Sequence, residues 1–271
     1  MAAHTTKSRI AELPVATWEP SAPAKGSVLL LHGLWVGGWV WEPFAELLAA
    51  AGFASHAPTM RGHYDSRPVA DVGNLSYFDY VQDALAVSRA LKPAAVVGHS
   101  GGGLTAQKLA EAEPSLRALV LMNSAPPRGI IVRPTWAILR AQFKYLTRIL
   151  GKQPVLPEED DYLQLFVNTG PEEVRRAFYQ RICPDSGRAL REILLGRVAV
   201  DAERVRCPVY VLGTGLDPTL GPKTQRKIAR KYGARYVEHP DLGHHWFIQE
   251  GWERAASEVV TWLDDTLGRS G

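Results

Sequence analysis

The sequence is poor in the features that mark several specialised classes. Its 271 residues hold two cysteines, Cys183 and Cys207, too few for a disulfide framework or a thiolate metal cluster. No apolar run is longer than a strand, so no segment reads as a membrane span. The first ten residues lack the apolar core of a secretory signal. Net charge is only +3 and no basic block occurs, which argues against nucleic acid as a partner. Repeats and low-complexity tracts are missing as well. What remains, 46% hydrophobic and 22% charged, suits a soluble globular chain with a sizeable core. These absences predict a cytoplasmic, reduced protein that uses no metal and no cofactor.

Short apolar runs at 28–31, 53–57, 94–97, 116–122, 209–212 and 235–238 alternate with helical patterns at 41–51, 77–91, 101–113, 223–232 and 251–267. Val28-Leu29-Leu30-Leu31 is apolar throughout, as a strand covered on both faces requires. Residues 8–18 add one or two edge strands around Pro14. Strands alternating with helices predict an α/β fold with a mostly parallel, doubly wound sheet. The alternation breaks at Pro126-Pro127. Residues 126–205 show only helical patterns, at 136–150, 158–167, 171–182 and 187–195. The expected organisation is therefore a core of residues 1–125 and 206–271, with a helical lid, 126–205, inserted after the sixth strand.

Gly98-His99-Ser100-Gly101-Gly102 sits where the 94–97 strand passes into a helix. A serine at such a corner takes a strained backbone conformation, and residues two positions away must be nearly free of side chain. Gly98 and Gly102 meet that demand. The corner lifts the Ser100 hydroxyl clear of the sheet and aims the first amides of the helix at whatever it attacks. A serine hydroxyl needs a base, and the base an orienting acid. In a parallel α/β sheet both belong in loops at the carboxyl ends of strands. Asp217 follows the 209–212 strand and His244 follows the 235–238 strand. Asp241, the rival acid, lies too close in sequence to His244 to arrive from a separate strand end. After Met122 there is no acid, only Asn123 and Ser124. Two amides would complete an oxyanion hole: that of Gly101, and that of Leu34 in the loop after Leu31.

With His32-Gly33-Leu34, Arg61-Gly62-His63-Tyr64-Asp65-Ser66, Gly98-His99-Ser100-Gly101-Gly102, Gly215-Leu216-Asp217 and Gly243-His244 in this order, nearly the whole chain resembles the α/β-hydrolase superfamily. The segment from His32 to Trp41 is similar to that of plant methylesterases and hydroxynitrile lyases. Tyr64 departs from the usual pattern, which has glycine there. The resemblance implies a Ser100–His244–Asp217 triad. The plant lyases carry a lysine after the catalytic histidine and a threonine after the oxyanion-loop histidine, whereas His245 and Gly33 occupy those places here.

Trp35, His99, Trp136 and His245 are further candidates for the walls of a substrate pocket. Trp35 reads equally as loop packing, His99 as a residue that fixes its loop by hydrogen bonds, and His245 as a pocket-rim or capping side chain. Arg61 and Asp65 read as loop braces, and Cys183 as inert. The expected activity is hydrolysis of a small to medium hydrophobic carboxylic ester through an acyl-Ser100 intermediate. Lactone, thioester, amide and carbon–carbon bond cleavage share the same machinery, and a receptor-like binder of a small ligand is the non-enzymatic alternative.

Overall fold

The computed structural model describes residues 4–268. In chain order its elements are β1 (His4–Ile10), β2 (Leu13–Glu19), β3 (Ser27–Leu31), α1 (Glu42–Ala50), β4 (Ala54–Pro58), α2 (Tyr77–Leu91), β5 (Ala95–His99), α3 (Gly101–Ala112) and β6 (Ala118–Met122). There follow α4 (Trp136–Leu150), β7 (Pro154–Val155), α5 (Glu159–Leu165), α6 (Glu172–Tyr179), β8 (Asp185–Ser186) and α7 (Gly187–Leu194). The chain closes with β9 (Val209–Thr214), α8 (Pro222–Tyr232), β10 (Arg235–His239) and α9 (Trp252–Gly268).

Eight strands form one sheet in the order β1-β2-β4-β3-β5-β6-β9-β10. Pairings from β4 to β10 are parallel, while β1 and β2 join antiparallel at one edge. The central strands alternate between two cores. On β5, Ala95 and Val97 pack with the cluster that includes α1 and α9, whereas Val96 faces the cluster built on α2, α3 and α8. Burial on both faces is the reason the middle of β3, β5 and β6 is apolar without alternation. The stripe Ala256, Val259, Leu263 and Leu267 on α9 is buried as its helical spacing demands. β1 is a different case. Its residues up to Arg9 are polar and exposed, and it is held by its seven-residue register with β2 across a left-handed turn at Ala11 and Glu12 (φ 50° and 66°).

Residues between β6 and β9 carry α4 to α7. They also hold something the helical patterns did not announce: the antiparallel two-residue ribbon of β7 and β8, in which Pro154 pairs with Ser186 and Val155 with Asp185. Two-residue strands are too short to display a period. Among the described residues no helix is long and apolar enough to cross a membrane.

Candidate active site

Parallel pairing aligns the carboxyl ends of β3, β5, β6, β9 and β10 along one edge, and the loops leaving them converge. Ser100 links β5 to α3 with φ 53° and ψ −122°, a conformation an L-residue keeps only when its surroundings enforce it. The enforcement comes from close backbone approach. A Cβ on Gly98 would strike the Gly102 carbonyl, and one on Gly102 would strike the carbonyls of Leu31 and His32.

The Ser100 hydroxyl lies 3.0 Å from His244 Nε2, and His244 Nδ1 lies 2.7 Å from Asp217 Oδ2. Asp217 Oδ1 accepts from the Thr219 amide and hydroxyl, both at 2.8 Å, and from the Leu220 amide at 3.0 Å. Burial alone would raise this carboxyl. The His244 charge and hydrogen bond, with the Leu220 and Thr219 amides, instead hold it down at about 2. It is ionised at any ordinary pH, and the proton on His244 Nδ1 is fixed toward it.

Asn123 also donates to Asp217 Oδ2, at 2.7 Å, and to Thr214 Oγ1 at 2.6 Å. In the sequence this residue registered only as the lack of an acid after β6. Its left-handed backbone (φ 44°) suits asparagine and turns the side chain toward the β9 loop. Asp241 stands apart, exposed and paired with Arg254.

The loop after β3 lies directly over this corner. A Cβ on Gly33 would come within 3.0 Å of Ser100 Cβ, and one on Gly101 within 3.5 Å of the Leu34 nitrogen. Among the described residues, neither the Leu34 nor the Gly101 N–H donates to a protein acceptor. Two amides side by side are thus free for a ligand. His32 fixes the loop from below. Its Nε2 accepts from the Met60 amide at 3.1 Å, so Nδ1 carries the proton and donates to the Gly33 carbonyl at 2.7 Å. Burial, and then neighbouring His63, push its basicity down to about 3.

The four further pocket candidates fare differently. Trp35 is buried, with φ 65°. Its ring centroid lies 4.9 Å from that of Phe166, whose own ring lies 5.6 Å from that of His244. His99 does not face an open pocket. It is wholly buried beneath the corner, with Nε2 donating to the His244 carbonyl at 3.0 Å, which is the loop-fixing reading. Burial, and then His244, push it down to about 3. His245 is neither rim nor cap. It packs against Phe178 (4.8 Å) and Tyr162 (6.3 Å), and burial holds it well below the usual histidine range. Those partners come from helices some seventy to eighty residues away, beyond the reach of local pattern. Trp136 stands at the start of α4 and is 80% exposed.

The ring nitrogens of His99, His244 and His245 approach within 4.8 Å of one another, close enough for a metal. Both His244 nitrogens and His99 Nε2 are already committed to hydrogen bonds. The trio therefore fits packed imidazoles better than a ligand set.

Arg61 braces its loop by a forked bond to Asp83, with Nε 2.9 and 3.0 Å from the two oxygens. Tyr64 occupies a left-handed position (φ 47°), which glycine would take without steric cost. Its hydroxyl donates to the Arg181 carbonyl and so ties the strained turn to the segment after α6. Burial pushes the Cys183 thiol up to about 12, leaving it protonated and unreactive.

Comparison with known proteins agrees with this architecture. The sequence model of the Alpha/beta hydrolase family matches residues 28–260, and the chain belongs to that family. It is similar to the carbendazim hydrolyzing esterase of Nocardioides sp. (strain SG-4G), 27% identical over 231 residues, which span 80% of this chain and 91% of the esterase. A monoacylglycerol lipase from Paleococcus ferrophilus superposes with a TM-score of 0.73 at 23% identity, covering 94% of this chain and 99% of the lipase. A methylesterase from Arabidopsis gives 0.70 at 17% identity, covering 88% and 99%. At such identities the two superpositions speak for the fold alone. Esterase- and lipase-type members of the family are what this chain resembles.

Proposed function

We propose that the protein is a serine hydrolase that cleaves a carboxylic ester of a small to medium hydrophobic substrate through an acyl-Ser100 intermediate. The observation that carries this reading is the hydrogen-bonded chain from Ser100 Oγ through His244 to the buried Asp217 carboxylate. His244 Nε2 takes the hydroxyl proton as Oγ attacks the carbonyl carbon. The same proton passes to the leaving alcohol when the tetrahedral intermediate collapses. In the second half His244 deprotonates a water, whose oxygen attacks the acyl carbon, and the proton returns to Oγ as the acid departs. Asp217 keeps the imidazole in the tautomer that faces Ser100 and stabilises its charged form. The free amides of Leu34 and Gly101 receive the oxyanion. Losing one such donor costs about 3 kcal/mol of transition-state stabilisation.

Residues 126–205 act as a lid over this centre. Phe166 and Trp35, beside His244, offer an apolar wall for the acyl or alcohol group. Similarity to an esterase over most of the chain supports the ester as the bond attacked.

Turnover of p-nitrophenyl esters of graded acyl length tests the proposal. The wild type is expected to hydrolyse short to medium chains and Ser100→Ala to lose that activity. Undiminished turnover in Ser100→Ala would remove Ser100 as nucleophile. Binding of small apolar ligands with no turnover of any ester would favour a receptor.

A further inference from the structure

Asp185 lies in β8, within the segment between β6 and β9, yet its carboxylate is wholly buried against the core. Four donors reach it. Oδ2 accepts from the Trp35 amide at 2.9 Å and from His63 Nε2 at 3.0 Å, while Oδ1 accepts from the Tyr80 hydroxyl at 2.7 Å and the Ser186 amide at 2.6 Å. The Trp35 amide directly follows Leu34, one of the two free amides above Ser100. Trp35 is held twice more from the same segment: its carbonyl accepts from the Cys183 amide at 2.8 Å, and its indole N–H donates to the Val155 carbonyl at 3.0 Å. A left-handed residue is thus clamped at three points, all within residues 126–205.

His63 decides the charge of this junction. Its Nε2 faces the Asp185 carboxylate and its Nδ1 faces the Arg61 carbonyl at 3.1 Å. Both neighbours only accept, so both ring nitrogens must carry protons and the ring is an imidazolium. The result is a fully buried ion pair, of the kind that collapses expensively if one partner is removed. A cavity of about 10 Å³, room for a single water, has His63, Asp185, Leu34 and Gly101 among its lining residues.

We propose that Asp185 is a positioning residue for the reaction: paired with the His63 imidazolium, it sets the Leu34 amide over Ser100, so that the oxyanion hole is complete only when residues 126–205 are docked through this pair. The inference rests on the serine-hydrolase reading above. It predicts an alkaline limb in the rate profile whose origin is His63. Activity falls on the alkaline side as His63 loses the proton that Asp185 or Arg61 requires. Burial alone would lower His63, but the charge and hydrogen bond of Asp185, with the Arg61 and Met60 backbone, hold it above the ordinary range. The other groups facing the pair stay neutral across the assay range. They are His32 from the β3 loop, pushed down to about 3, Tyr77 and Tyr80 from α2, both pushed up by burial, and Cys183, up to about 12.

The test uses Asp185→Asn and His63→Gln, read by the rate of Ser100 labelling with a fluorophosphonate probe as well as by ester turnover. In Asp185→Asn the carboxylate charge is lost and two of the four donors must face an amide NH₂, so the hold on the Trp35 peptide loosens. A displacement of about 1 Å near a reacting centre can cost 10²-fold, so kcat and labelling rate should both fall between about 10- and 100-fold while KM moves less than about threefold. In His63→Gln a neutral donor remains, the loss should be smaller, and the alkaline limb should disappear.

A folded Asp185→Asn protein with wild-type kcat and labelling rate would overturn the proposal. So would a His63→Gln protein that keeps the wild-type alkaline limb, and this second comparison decides the matter if Asp185→Asn does not fold. A wild type that is labelled at Ser100 but hydrolyses no ester would contradict the esterase reading alone, and the labelling rates would still report on Asp185.

Discussion

Replacing Asn123 with glycine isolates the support that holds the acid beneath His244. The Asn123 bond to the buried Asp217 carboxylate (2.7 Å) is of the charged class, worth about 1.5–3 kcal/mol, and the neutral bond to Thr214 Oγ1 (2.6 Å) adds about 1. Asn123 Oδ1 is buried without a partner, so the substitution also removes an orphan and returns about 1 kcal/mol. The net expectation is a stability loss of about 2 kcal/mol at neutral pH. Glycine accepts the left-handed backbone (φ 44°), whereas Asn123→Ala should lose about 1 kcal/mol more. Asp217 keeps His244, Thr219 and Leu220 as donors and stays ionised, so kcat should fall only about tenfold, through looser placement of the imidazole. Urea unfolding and kcat, measured for wild type and both variants, check this. An Asn123→Gly protein as stable and as active as wild type would refute the role assigned to the bond.

Acid should unfold the protein in a defined window. Asp185 and Asp217 sit at about 2 when folded against an ordinary value of 3.8. Each therefore contributes about 2 kcal/mol that is fully present above the ordinary value and lost as pH falls through 2. A urea midpoint that does not change between pH 5 and 2 would contradict this. Gly102→Ala should lose about 3 kcal/mol or more, because its Cβ would meet the Leu31 and His32 carbonyls; a melting temperature equal to wild type would show that the corner can relax. Both thiols should resist Ellman's reagent at pH 7–8 in the native protein and react once unfolded, since burial pushes Cys183 up to about 12 and Cys207 to about 11. Prompt native labelling would count against those environments.

The sheet is legible because β3, β5 and β6 are buried on both faces and therefore carry apolar runs through their middles. The corner at Ser100 was legible for a related reason: its backbone tolerates only glycine two residues to either side, and that requirement is local. Asp217 and His244 could be located because each stands just past a recognisable strand end. Contacts made across the fold left no such trace. Asp185 and His63 are 122 positions apart, and a two-residue strand such as β8 has no periodicity to betray it. His245 looked like a rim residue because the aromatic rings around it arrive from α5 and α6. Asn123 shows in the sequence as a missing charge and not as the hydrogen bond it donates. β1, polar and exposed, owes its conformation to backbone pairing with β2 rather than to any pattern of its own.

The central claim is that Ser100 is the nucleophile, made reactive by His244 and Asp217. Treatment of the native protein with a fluorophosphonate, followed by peptide mapping of the adduct, tests it most directly. The account predicts a single adduct on Ser100, no adduct in Ser100→Ala, and much slower labelling in His244→Ala. An adduct on another residue, or equal labelling of the Ser100→Ala protein, would contradict it.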